Sequence, residues 1–95
     1  MSSDLYHPPV KRSVEIAGHK TSISLEPLFW ELLQQAAARE ALPLNALVAR
    51  VDLERMQSPH PPGLATAIRL WLAAELIEDV EFERGDELPG KPADQ

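Results

Sequence analysis

The chain has no cysteine, and its apolar residues never form a run long enough to span a membrane. The lack of cysteine excludes disulfides and thiolate metal sites, and it is consistent with a reducing cytoplasm. A membrane helix needs roughly 20 apolar residues, and residues 1–4 lack the basic and then apolar pattern of a signal peptide. We therefore expect a soluble cytoplasmic protein without a membrane partner.

Residue types that carry catalysis are also scarce. There is no glycine-rich phosphate loop, and outside the acidic C-terminal segment no acids cluster with a histidine. The three histidines do not have the spacing of metal ligands. The sequence therefore predicts no enzyme activity, no metal site and no cofactor.

The formal charge of −6 is concentrated at one end of the chain. From Glu75 onward there are eight acids and two bases, and the first 74 residues carry seven of each sign. Within that neutral part, Lys11, Arg12 and Lys20 are close in sequence, with Glu15 as the one acid between them. An acidic net charge therefore does not exclude a polyanionic partner for the N-terminal part.

Proline and the apolar pattern divide the chain into an arm at 1–10, a domain at 11–79 and an acidic, disordered tail at 80–95. Within the domain, Pro27 predicts the start of a first helix that ends near Ala41-Leu42. A second helix is predicted with Pro43 in its first turn. After the proline-rich break at 58–63, a third is predicted over about 64–79. The predicted fold is mainly α.

A short alternating strand precedes the first helix. In Lys20-Thr-Ser-Ile-Ser-Leu25, successive side chains point to opposite faces, so Lys20, Ser22 and Ser24 share the polar face. The preceding segment, 13–16, also alternates, and Gly18 is interpreted as a bulge or bend between the two. One strand cannot satisfy its own backbone, and a chain of 95 residues has a small core. Both arguments predict an obligate pair of identical chains.

This order of strand and helices resembles the ribbon-helix-helix DNA-binding family, over roughly residues 11 to 75. The resemblance is closest to a bacterial branch of the family and is carried by six segments of the sequence. They are Lys11-Arg-Ser-Val14, Gly18-His19, Thr21-Ser-Ile-Ser-Leu-Glu26, Phe29-Trp30, Leu44-Asn-Ala-Leu-Val48 and Leu64-Ala-Thr-Ala-Ile-Arg69.

The resemblance implies a homodimer whose two strands pair antiparallel into a ribbon that enters the major groove of double-stranded DNA. Lys20, Ser22 and Ser24 would then contact base edges. The residues that would contact the DNA backbone are Lys11, Arg12, His19, and Leu44 and Asn45 at the amino end of the second helix. The implied function is a transcriptional regulator, most simply a repressor of neighbouring genes, with several dimers on one site as a further possibility.

A protein-interaction module is the alternative prediction. An antitoxin-like or adaptor protein could fold its acidic C-terminal tail onto a protein partner, with DNA binding secondary or lost. The outward row of Lys20, Ser22 and Ser24 would then be an ordinary solvated strand face.

Overall fold

The structure, a computed structural model, describes residues 5–84, with side chains as far as residue 78. Two strands are followed by three helices, which agrees with the predicted mainly α fold with an N-terminal ribbon and a third helix. The elements are β1 (Val10–Ile16), β2 (His19–Leu25), α1 (Pro27–Arg39), α2 (Leu44–Met56) and α3 (Leu64–Arg84).

The number of strands differs from the prediction. One strand was predicted, but the chain has two, and β1 and β2 pair antiparallel from Val10 opposite Leu25 to Ile16 opposite His19. The predicted pairing of strands between two copies stays a prediction. Ala17 and Gly18 both have positive φ, 51° and 83°, as the two central residues of a tight hairpin turn require. Gly18 is thus part of a turn rather than a bulge, and β1 and β2 form a two-stranded hairpin within one chain.

The hairpin packs one face onto the helices. Its contribution to the core is Val14, Ile16, Ile23 and Leu25, all 9 % exposed or less. At its open end, the indole Nε1 of Trp30 in α1 donates a hydrogen bond of 2.9 Å to the carbonyl oxygen of Val10. The innermost residues have no solvent exposure, so one chain buries this core without a second copy. They are Leu25, Leu33, Ala36, Leu47, Val48 and Ile68.

The helices end at different residues from those predicted. α1 ends at Arg39. Two residues later Ala41 has a positive φ of 57°, and the N–H of Leu42 donates to the carbonyl oxygen of Ala37 at 2.9 Å. This is the left-handed turn that commonly closes a helix. Pro43 lies just before α2 rather than inside its first turn.

The predicted domain boundaries remain predictions, with two adjustments from the described residues. β1 begins at Val10, the last residue of the predicted arm. α3 continues to Arg84, so residues 80–84 are helical where a disordered tail was predicted. The rest of that predicted tail, residues 85–95, lies outside the described residues.

An ion pair joins α3 to the residue that links β2 and α1. Arg69 donates from Nε and Nη2 to Oε1 of Glu26, at 3.0 and 2.9 Å, and its guanidinium lies 5.7 Å from the centre of the Phe29 ring. A hydrogen bond from the backbone N–H of Glu26 itself, and then the Arg69 guanidinium, hold the pKa of the Glu26 carboxyl below its ordinary value of 4.5. This contact connects α3 to the junction of β2 and α1.

Candidate nucleic-acid interface

The outer face of the hairpin is polar and open to solvent. β2 places Lys20, Ser22 and Ser24 on this face, all exposed, because Ile23 and Leu25 of the alternating pattern are held in the core. The structure therefore brings the three predicted base-contacting residues together on one surface. Their contact with bases remains a prediction.

β1 adds a second row of side chains to the same face. Lys11 is opposite Ser24, Ser13 is opposite Ser22, and Glu15 is opposite Lys20. All three β1 residues are exposed. We define these six residues as the outer face.

The sequence prediction missed Ser13 and Glu15 as members of the outer face. The available signal was the alternation of Ser13-Val14-Glu15-Ile16 together with the two residues, Ala17 and Gly18, that separate it from β2.

Lys11 and Arg12, both predicted to contact the DNA backbone, lie on opposite faces of β1. Lys11 belongs to the outer face, whereas Arg12 is opposite Ile23 and its guanidinium lies 5.0 Å from the centre of the Trp30 ring. Such a position is attractive for a cation because of the electron-rich face of the indole. Arg12 is exposed, so its side chain reaches solvent although it lies on the face opposite to the outer face.

His19 and the start of α2 were the other predicted backbone contacts. His19 is exposed and opens β2 directly after the turn. α2 has no side-chain cap, and its first hydrogen bonds run from the N–H groups of Ala46 and Leu47 to the carbonyl oxygen of Pro43, at 3.1 and 3.2 Å. The N–H groups of Leu44 and Asn45 precede these bonds. Free N–H groups at a helix start can bind an anion such as phosphate.

The described residues also bear on two other kinds of site, a membrane-spanning helix and a metal site. Within residues 5–84, none of the helices is both long enough and apolar enough to cross a membrane. Among the side chains of residues 5–78, no three of the metal-binding types gather into a site.

Comparison with known proteins identifies the family. The family model described as the ribbon-helix-helix domain matches residues 9–76, which include both strands, α1, α2 and part of α3. The chain belongs to this family, whose members are generally DNA-binding regulators of transcription and usually act as dimers.

One solved structure shares the fold. It is an uncharacterized protein from Bordetella pertussis Tohama I, with a TM-score of 0.70 and 21 % sequence identity over 98 % of this chain and 72 % of that one. At this identity the likeness concerns the fold alone. No curated protein matches the chain.

Proposed function

We propose that this protein is a sequence-specific regulator of transcription that inserts its hairpin into the major groove of double-stranded DNA. The observation that carries the proposal is the outer face, where a ribbon of two strands presents only exposed polar side chains in a family of DNA-binding regulators. The major groove admits a two-stranded ribbon, and lysine and serine side chains hydrogen-bond base edges there. The start of α2 would bind a phosphate through the N–H groups of Leu44 and Asn45, with Lys11, Arg12 and His19 near the backbone.

The regulator would act in the cytoplasm as a repressor, because a protein seated on a promoter blocks transcription without needing any further activity. We propose a homodimer, as is usual in the family. Exposed apolar residues support a second copy: Leu53 and Met56 on α2 are 67 % and 56 % exposed, and Leu70 on α3 is 60 % exposed. A groove of about 330 Å³ between α2 and α3 includes Leu70 and Trp71 in its lining.

The proposed function is tested by DNA retention. Purified protein is mixed with genomic fragments at stated salt, and the retained fragments are then titrated with wild type and with a Lys20→Ala, Ser22→Ala double variant. We expect the double variant to lose retention, because it removes one charge and one hydroxyl from the outer face. A Lys91→Ala, Thr66→Ala variant also removes one charge and one hydroxyl, together with one methyl group, but outside the hairpin, and it should bind as wild type.

Unchanged retention by the Lys20→Ala, Ser22→Ala variant would contradict the proposal. If the wild type retains no DNA but co-purifies with a protein, the protein-interaction module replaces it. The homodimer is checked separately by the mass in solution at micromolar concentration, where the mass of one chain would contradict that part alone.

A further inference from the structure

α3 is longer than the part of it that packs into the core. The helix has 21 residues, which makes it about 31 Å long. Among its side chains described, as far as residue 78, the buried ones are Ala67, Ile68 and Leu72, all in the first half of the helix. No side chain from residue 73 to residue 78 is buried. The stretch 73–78 therefore contributes little to the packing that normally stabilises a helix.

This second half of α3 leads away from the hairpin. The helix passes the junction of β2 and α1 at Arg69, which binds Glu26. Further along, Leu76 lines a small hollow together with Arg39, the last residue of α1. The helix then continues to Arg84, which is about 12 Å beyond Leu76. A partner bound to this half of α3 would therefore leave the outer face of the hairpin open.

Two large apolar side chains in this half are open to solvent. Leu76 is 51 % exposed and Ile77 is 56 % exposed. Ala73, three and four residues earlier, shares one face of the helix with them and is exposed as well. We define these three residues as the distal face. The sequence around them is acidic, since residues 73–84 contain five acids and one base.

The charge of this segment decides which occupant fits the distal face. A second copy of α3 would bring the same excess of acids, and like charges brought together oppose association. Nucleic acid does not fit for the same reason, because its phosphates are negative. A protein surface with an apolar groove and a rim of lysine or arginine complements both features of the segment. Amphipathic helices are commonly recognised by proteins in such grooves.

We propose that the distal face of α3 is a docking site for a basic protein, whose apolar groove receives Leu76 and Ile77 and whose basic rim meets the neighbouring acids. Glu78 directly follows Ile77 and is exposed, so it is available to a basic side chain at the edge of the groove. The site is separate from the outer face. It therefore gives the protein a second partner, whether or not the hairpin binds DNA.

The probe for this site is a synthetic amphipathic peptide of leucine and lysine at helical spacing, titrated against the full chain in a calorimeter. We expect Leu76→Ser, Ile77→Ser to bind it about 10- to 100-fold more weakly, because the variant loses apolar area while its charge is unchanged. Leu5→Ser, Tyr6→Ser removes two exposed apolar side chains of the N-terminal arm and should bind as wild type. Glu78→Lys keeps the distal face and should weaken binding by about 2- to 10-fold.

The substituted side chains are all at least half exposed or on the surface, so the variants should melt with the wild type. Wild-type affinity in Leu76→Ser, Ile77→Ser would overturn the proposal, as would equal binding of a peptide of leucine and glutamate. A halved mass of that double variant in solution would also overturn it, because a second copy would then be the occupant. The variant should retain DNA as wild type does, so a failure of the proposed function is detected separately.

Discussion

The two faces of the hairpin share one backbone and one alternating spacing, but they have different roles. On β2, Ile23 and Leu25 are 3 % and 0 % exposed, whereas Ser22 and Ser24, which alternate with them, are open to solvent. The inner face fixes which way the strand faces, since a slip of one residue would put serine in the core and leucine in water. The outer face is then free to vary without cost to the fold. Stability and recognition are thus carried by alternate residues of one strand.

The largest expected effect is the loss of stability caused by a cavity beneath the hairpin. It tests whether the inner face carries stability and the outer face does not. We expect Leu25→Ala to lower the free energy of unfolding by about 2–5 kcal/mol, because the side chain has no solvent exposure and its loss leaves a void. Urea unfolding followed by circular dichroism measures the change. The matched variant on the other face, Ser24→Ala, should stay within about 0.5 kcal/mol of wild type. Equal losses at the two positions would show that the faces do not divide stability in this way.

A smaller effect is expected at Glu26, the residue between β2 and α1. The lowered pKa of Glu26 means that the folded state holds this carboxylate more strongly than the unfolded chain does. The contribution of this carboxylate to the free energy of unfolding is present above the pKa of the unfolded chain, near 4.5. It is lost as the pH falls through the lower pKa of the folded state. We expect Glu26→Gln to be less stable than wild type at neutral pH and the difference to shrink on acidification below about 4.5.

Thermal unfolding of wild type and Glu26→Gln at several pH values measures this difference. Glu31→Gln, at an exposed acid of α1, is the control. A gap between wild type and Glu26→Gln that stays constant with pH would mean that the Arg69 contact does not distinguish the charged from the neutral carboxyl.

The smallest expected effect lies at the turn that joins the two strands. Ala17 has φ of 51°, a conformation that is strained for alanine and that asparagine adopts more readily. Ala17→Asn creates the favoured Asn-Gly turn, and we expect it to stabilise the protein by about 0.5 kcal/mol. At the exposed helical position Ala38, the same change should destabilise by a similar amount. Destabilisation at both positions would argue against this turn geometry.

The sequence predicted the parts of the molecule that follow from local periodicity. The alternation from Lys20 to Leu25 assigned the two faces of β2 correctly, and Pro27 marked the start of α1. The hairpin was missed because Ala17-Gly18 lacks the usual turn pair, asparagine and glycine, so the two strands were interpreted as one interrupted strand. With the hairpin missed, the place of Ser13 and Glu15 opposite β2 was missed as well.

Contacts between residues far apart in the sequence could not be predicted from sequence patterns. The hydrogen bond of Trp30 to Val10 joins residues 20 apart in the chain, and the Glu26 and Arg69 pair joins residues 43 apart. The position of Arg12 over the Trp30 indole likewise depends on the whole hairpin being docked. No periodicity encodes such pairs, because they follow from how the packed elements meet.

Trp30 can also serve as an intrinsic fluorescence probe of the hairpin. Trp30 is 2 % exposed, its ring lies against the Arg12 guanidinium, and its indole N–H donates a hydrogen bond to Val10, the first residue of the hairpin. If the hairpin lifted from the helices, water would reach the indole and its emission would move to longer wavelength. Lifting of the hairpin can therefore be followed in unlabelled protein, in a variant in which phenylalanine replaces the second fluorophore, Trp71.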